Sequence, residues 1–554
     1  MSNALSRRCF LKTAAGASFY VMTAGCGFFR DFDLLITGGR IADGTGKPLF
    51  QADIGIKDGR IIEIGSLQGR SAGRIIPASG LVIAPGFIDI HSHSDDELLV
   101  DGRAMGKILQ GVTTEVVGQD GSSYAPLNGE MREHLSERLE KLYNLRVDWD
   151  DFKGYFKKLR RQRLSVNVMS MVGSGTLRAY VIGYEDRSAS EKEIQQMQQL
   201  LKDALQQGAR HLSSGLEYTP GSFASTEELV ALCSVLGEEG VYSTHMRSED
   251  DHVLQAVAEA VRIAREAGCR LNITHIKASG RRNWTKMDAI LQYLDEARNT
   301  GLSVTCDRYP YAAYSTGLAS LFPLWAREGG TEAFLERLQN NDLLPKMRQA
   351  VKEKIEMLGS WDAVLISSLF EPENKGYIGR RLGELAAELN KEPFEFLREL
   401  LLSENGRGGM VGFGMSEENT EKVLAYPYTA VASDGSARAT EGVLSEGNPH
   451  PRNFGTFPRL LGYYVREKGL LSLEEAVRKI TSLPAQIVRL PNRGRIAPQY
   501  YADLTLFDPD TIRDTATFTN PKQYPEGIHY VIVNGKVVID QGEHTGARPG
   551  KILT

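Results

Sequence analysis

The sequence predicts an α/β fold: a (β/α)8 barrel, a small β-sandwich domain built from both chain ends, and an inserted lid-like subdomain. Three observations carry this prediction. Strand-like runs alternate with helix-period segments through the middle of the chain. Hairpin-rich β segments of like texture open and close it, and the connection from Tyr311 to Ala425 is far too long for a barrel loop. At 554 residues, with 42% hydrophobic and 24% charged side chains, the chain can bury such a core. A formal net charge of −5 with no Lys/Arg-rich run argues against a nucleic-acid partner.

The first residues are read as address rather than fold. Ser6-Arg7-Arg8-Cys9-Phe10-Leu11-Lys12 precedes a small, apolar, uncharged stretch from Thr13 to Gly25, the layout of an export signal. It resembles the twin-arginine leader pattern S-R-R-x-F-L-K, and Thr23-Ala-Gly-Cys26 resembles a bacterial lipobox with Thr where Leu is usual. The resemblance implies a signal over 1–25, export of the folded chain, and a periplasmic or cell-envelope protein lipid-anchored at Cys26. A plain cleaved signal and an uncleaved anchor are the other readings. No later stretch approaches the roughly 20 apolar residues of a spanning helix.

From 30 to 84 the chain reads as short β runs joined by turn pairs, with Asp58-Gly59 between two alternating runs. The same texture returns over 485–546, where Asn534-Gly535 marks a second hairpin. Each end is too short for its own core, so the two are expected to form one small β domain. The barrel is expected over 85–484, with the insertion at about 315–425. Strand-like runs fall at 86–93, Val112 to Gly118, Ser165 to Gly173, His211 to Leu216, Val241 to Met246, Arg270 to His275, Ser303 to Tyr309 and Tyr428 to Asp434. Cys233, Cys269 and Cys306 are too scattered for a disulfide framework and read as barrel core.

Polar residues cluster at the C-terminal ends of these strands, where a barrel of this kind places its chemistry. His91 and His93 leave the first strand two residues apart, so both imidazoles face one way. Gln119-Asp120-Gly121 follows the second strand, His245 the fifth, His275 the sixth and Asp434 the eighth. A lone His-x-His is more often surface structure, and Ser433-Asp434-Gly435 alone is more often a turn. Four of the ten histidines converging with an aspartate on one barrel end point instead to metal-assisted hydrolysis. Imidazoles and carboxylate would hold zinc, and Asp434 would act as general base and then acid.

Pro85-Gly-Phe-Ile-Asp-Ile-His-Ser-His93 with the terminal Ser-Asp-Gly resembles the amidohydrolase superfamily, a TIM-like metal-dependent hydrolase barrel. Val172-Gly-Ser-Gly-Thr-Leu-Arg178, Ser214-Gly-Leu-Glu-Tyr-Thr-Pro-Gly221, Ser243-Thr-His-Met-Arg-Ser-Glu249, Asp307-Arg-Tyr-Pro-Tyr311 and Asn448 to Pro458 resemble its N-acyl-D-amino-acid deacylases, or D-aminoacylases. That resemblance implies amide hydrolysis of N-acyl-D-amino acids, or of dipeptides with a C-terminal D residue. It implies one or two Zn2+ ions: a tight site at His245, His275 and the second-strand residue, and a weaker one at His91, His93 and Asp434. It implies that Lys277, Tyr309 and Arg452 bind the substrate carboxylate, which suits an Arg fork and a Lys charge.

Two positions depart from the pattern. Asp120 stands where the family has a cysteine, and Ser174 where it often has histidine. Asp120, rather than Glu115 earlier on the strand, is taken as the second-strand ligand. A cyclic-amide hydrolase of the dihydropyrimidinase or hydantoinase type is a second reading, weakened because the fourth strand lacks a lysine. A lipid-anchored, non-catalytic binding protein is a third.

Overall fold

Short, buried runs form the eight barrel strands of the structure, a computed structural model that describes residues 30–554. They are β1 (Phe87–Asp89), β2 (Val112–Val117), β3 in two pieces (Asn167–Ser170 and Val172–Gly173), β4 (Leu212–Gly215), β5 (Val241–His245), β6 (Arg270–Ile273), β7 (Val304–Arg308) and β8 (Thr429–Val431). Every ladder between neighbours is parallel. The readings on the twin arginine and Cys26 lie outside the described residues. Among those described, no helix is long and apolar enough to cross a membrane.

The barrel has a seam. Between β8 and β1 no ladder forms, and the gap is bridged just past the strands, where Asp434 N–H donates to His91 O at 2.9 Å and His93 N–H donates to Gly435 O at 3.0 Å. The seam therefore runs between the two segments that carry His91, His93 and Asp434.

Both chain ends enter one β domain, as expected, and its nine strands are joined by a continuous path of hydrogen bonds. Phe32–Ile41 pairs antiparallel with Phe50–Lys57, and parallel with Ala72–Pro77 along its first half and Val82–Pro85 along its second. Val82–Pro85 then pairs with Leu504–Phe507, which leads to the hairpin of Ile528–Val533 and Lys536–Asp540. Asp58 and Gly59, and Asn534 and Gly535, all take positive φ, as tight two-residue hairpin loops require. Ile36, Ile54 and Ile61 from one end pack with Leu504, Leu506 and Ile532 from the other. The two ends thus share a core, beside a small cluster of Phe32, Leu35 and Leu67 within the first.

The long connection before β8 is a subdomain with a core of its own, including Phe322, Phe334, Met347, Phe394 and Leu397. Its helices were expected. The three-stranded antiparallel sheet of Tyr314–Gly317, Val364–Ser368 and Gly409–Gly412 was not, because each strand is short and pairs with a segment far along the chain. Cys233, Cys269 and Cys306 are free and buried in the barrel core.

Candidate metal centre and active site

Each strand end delivers its side chain to one place. His91, His93, Asp120 and Asp434 form one group of metal-capable atoms, and Asp120, His245 and His275 form a second, every atom in a group within 4.8 Å of the others. Asp120 belongs to both. One of its oxygens lies 3.5 Å from His91 Nε2; the other lies 3.5 Å from His93 Nε2, 3.4 Å from His275 Nε2 and 3.7 Å from His245 Nδ1. His93 Nε2 is 3.1 Å from Asp434 Oδ1, and His245 Nδ1 is 2.9 Å from His275 Nε2.

The local backbone is bent to allow this. Asp120, His275 and Asp434 take positive φ of 52°, 34° and 49°, a region non-glycine residues enter rarely and chiefly where function holds them. Beneath Asp120, on β4, stands Gly215, where a Cβ would come within 2.1 Å of Asp120 O. Position 215 thus has no room for a side chain under Asp120, and the fourth strand, Leu212–Gly215, carries no lysine.

Three of the four imidazoles have their far nitrogen on a carboxylate. His91 Nδ1 lies 3.3 Å from Asp307 Oδ1, His275 Nδ1 2.8 Å from Glu249 Oε1, and His245 Nε2 3.4 Å from Glu217 Oε2. For His91 and His245 such partners fix the tautomer that leaves the near nitrogen's lone pair free, which is how metal-ligating histidines are held; His275 Nδ1 also has Lys277 Nζ at 2.7 Å. The donor set of nitrogen and carboxylate oxygen suits zinc. Asp307 does more: the same Oδ1 accepts the His275 backbone N–H at 2.8 Å.

Buried imidazoles and carboxylates hold one another's charge in the site. Burial opposes protonating the imidazoles, yet the facing carboxylates raise His91 well above its usual value, His93 to about 9 and His245 to about 10. Burial likewise opposes ionising Asp120 and Asp434. For Asp120 the imidazoles of His91 and His275, and for Asp434 the guanidinium of Arg452 and then His91, hold the carboxyl well below the carboxylate range.

Lys277, Tyr309 and Arg452 line the same cavity of about 680 Å³ as His93, Asp120, His245, His275 and Asp434. Arg452 Nη1 donates to Asp434 Oδ2 at 2.7 Å, its guanidinium lies 4.7 Å from the Tyr309 ring centroid, and its Nε has no partner. Lys277 Nζ donates to Glu249 at 2.6 Å. The inserted subdomain adds Leu321, Leu324, Arg327 and Lys354 to the wall. A second cavity of about 790 Å³ lies across His93 and Asp120, toward Tyr124, Met131 and Tyr184.

Glu115 is turned to other work: its Oε2 accepts from Ser92 Oγ and Ser94 Oγ at 2.6 and 2.5 Å. Ser174 is buried and its hydroxyl has no partner. Glu217, Glu249 and Asp307 carry no role legible in the sequence. The only signal was their position, four residues past His245 for Glu249 and two before Tyr309 for Asp307.

A β/α barrel whose rim gathers imidazoles and carboxylates around one cavity is the architecture of a metal-dependent hydrolase. Residues 74–335 and 445–539 match the amidohydrolase family. A D-aminoacylase of Alcaligenes xylosoxydans xylosoxydans is 36% identical over 525 residues, 95% of this chain and 98% of its own. The N-acyl-D-glutamate deacylase of Bordetella bronchiseptica, solved with zinc and a phosphonate mimic of the tetrahedral intermediate, superposes with a TM-score of 0.80. It is 34% identical and covers 94% of this chain and 99% of its own. A D-aminoacylase solved to define the role of its binuclear metal centre gives 0.78 at 37% identity, covering 94% and 100%. The chain belongs to the amidohydrolase family. Within it, the chain stands with the D-aminoacylases and N-acyl-D-amino-acid deacylases.

Proposed function

We propose that this chain is a zinc-dependent deacylase that hydrolyses the amide bond of N-acyl-D-amino acids, or of dipeptides with a C-terminal D residue, releasing a carboxylate and a D-amino acid. The observation that carries the reading is the placement of Lys277, Tyr309 and Arg452 beside the shared Asp120 cluster, in one cavity. Two cations and a phenol next to a hydrolytic centre suit a substrate whose amino-acid half ends in a free carboxylate. The D configuration is supported by the relatives' activities.

His245, His275 and Asp120 would hold one ion, and His91, His93 and Asp434, with Asp120 between, a second. Bound zinc supplies a Lewis acid and brings the pKa of its water to roughly 7. Around it the chain's own groups divide the work. Asp434 Oδ1 takes the proton of the attacking water and passes it to the amide nitrogen as the C–N bond breaks. Arg452 steadies Asp434 through Oδ2 and, with Lys277 and Tyr309, orients the substrate carboxylate. The acyl half extends over Asp120 into the second cavity. Asp434→Asn is expected to lower kcat by about two to four orders of magnitude while the chain still binds zinc. Unchanged turnover would remove Asp434 from the mechanism.

Residues 6–26 support export by a twin-arginine signal and lipid anchoring at Cys26 in the periplasm or cell envelope. Cys26→Ser should then move the chain out of the membrane fraction. An unchanged distribution would rule out that anchor.

A further inference from the structure

Lys107 is wholly buried, in the short helix Met105–Ile108 between β1 and β2, and lies outside the cavity. Its ammonium sits in the barrel seam. Nζ donates to Asp89 Oδ2 at 2.7 Å, Ser433 Oγ at 2.7 Å and Gly435 O at 2.8 Å, with Ser92 Oγ at 3.2 Å and Glu115 Oε2 at 3.7 Å. Asp89 stands two residues before His91, and Ser92 separates His91 from His93. Ser433 and Gly435 flank Asp434. One cation therefore touches the chain on both sides of His91 and on both sides of Asp434. Asp89 completes the tie by accepting Ser433 N–H at 2.9 Å and Ser433 Oγ–H at 2.6 Å.

We infer that Lys107 is a positioning residue: its buried ammonium locks β1 to β8 across the seam and so sets the 3.1 Å approach of His93 Nε2 to Asp434 Oδ1. Elsewhere in the barrel a parallel ladder fixes neighbouring strands. Here only two backbone bonds cross at the active end, and the buried Lys107–Asp89–Ser433 network makes up the difference. The inference rests on the proposed function only in taking His91, His93 and Asp434 as metal ligands.

The test is Lys107→Met, which keeps length and removes charge, read by chelator competition for zinc, the visible spectrum of the cobalt-substituted chain, and kcat against KM. The expected result is zinc binding weakened about 10- to 100-fold, an altered cobalt spectrum, and a kcat that falls far more than KM rises. A folded variant with wild-type zinc affinity and cobalt spectrum would overturn it. If that variant does not fold, Ser433→Ala, which removes one acceptor and leaves the Lys107–Asp89 pair, decides on the same scale: a changed cobalt spectrum supports the lock and an unchanged one contradicts it. A wild-type chain that binds zinc but cleaves no amide would count against the deacylase reading, and the metal measurements would still decide on Lys107.

Discussion

Arg452 Nη1 donates to Asp434 Oδ2 at 2.7 Å, and both side chains are more than nine-tenths buried. The pair joins a residue assigned to substrate binding to the one assigned to proton transfer. Its geometry predicts that the two functions fail together.

Arg452→Ala should both raise KM and lower kcat, with kcat/KM down by about two orders of magnitude, because it strips a charge-assisted partner from a buried carboxylate. Lys277→Met, which removes an ammonium that touches Glu249 and His275 Nδ1 and not Asp434, should raise KM without removing the Asp434 partner, and any loss of kcat should follow a loss of zinc at His275. Steady-state kinetics on one N-acetyl-D-amino acid separate the two. An Arg452→Ala variant changed in KM alone would limit Arg452 to binding.

Asp120 is shared by both ligand groups. Asp120→Ala should therefore cost more bound zinc than His93→Ala or His245→Ala, each of which strips one group and leaves the other whole. Metal analysis after dialysis against a weak chelator checks this. Equal losses would mean that Asp120 serves one ion and does not bridge.

His211, at the start of β4, is buried with Nδ1 accepting Val241 N–H and Nε2 donating to Val488 O. Burial, aided by Arg210, Arg270 and Arg489, pushes the imidazole down to about 4 against the backbone bond to Val488. The unfolded chain binds that proton below about 6.5 and the folded chain does not, so stability falls as pH drops from 6.5 toward 4. The contribution is up to about 3 kcal/mol. His211→Asn, which tolerates the positive φ of this position, should lose less melting temperature than the parent between pH 7 and 4.5. Parallel pH profiles would contradict the assignment.

Much of this site was legible because strand geometry is periodic. His91 and His93 lie just past the end of β1, two residues apart, and His245, His275 and Asp434 stand at or just beyond the C-terminal ends of short buried strands. Asp58-Gly59 and Asn534-Gly535 announced their hairpins through residues that accept positive φ. Glu249, Asp307 and Glu217 were silent because a carboxylate becomes an orienting group only through what the fold brings against it. Lys107 was silent for the same reason: four residues of helix in a loop carry no pattern, and its partners come from sequence positions as distant as 89 and 435. The inserted sheet escaped because Tyr314–Gly317 pairs with Gly409–Gly412 and local sequence does not encode that pairing.

The measurement that bears most directly on the account is amino-acid release by the purified, metal-analysed chain from paired N-acetyl-D- and N-acetyl-L-amino acids and D-terminal dipeptides. The test is run before and after chelation and after zinc is restored. The account predicts release from the D substrates alone, lost with the chelator and recovered with zinc. Release that ignores handedness, or that survives complete removal of metal, would contradict it.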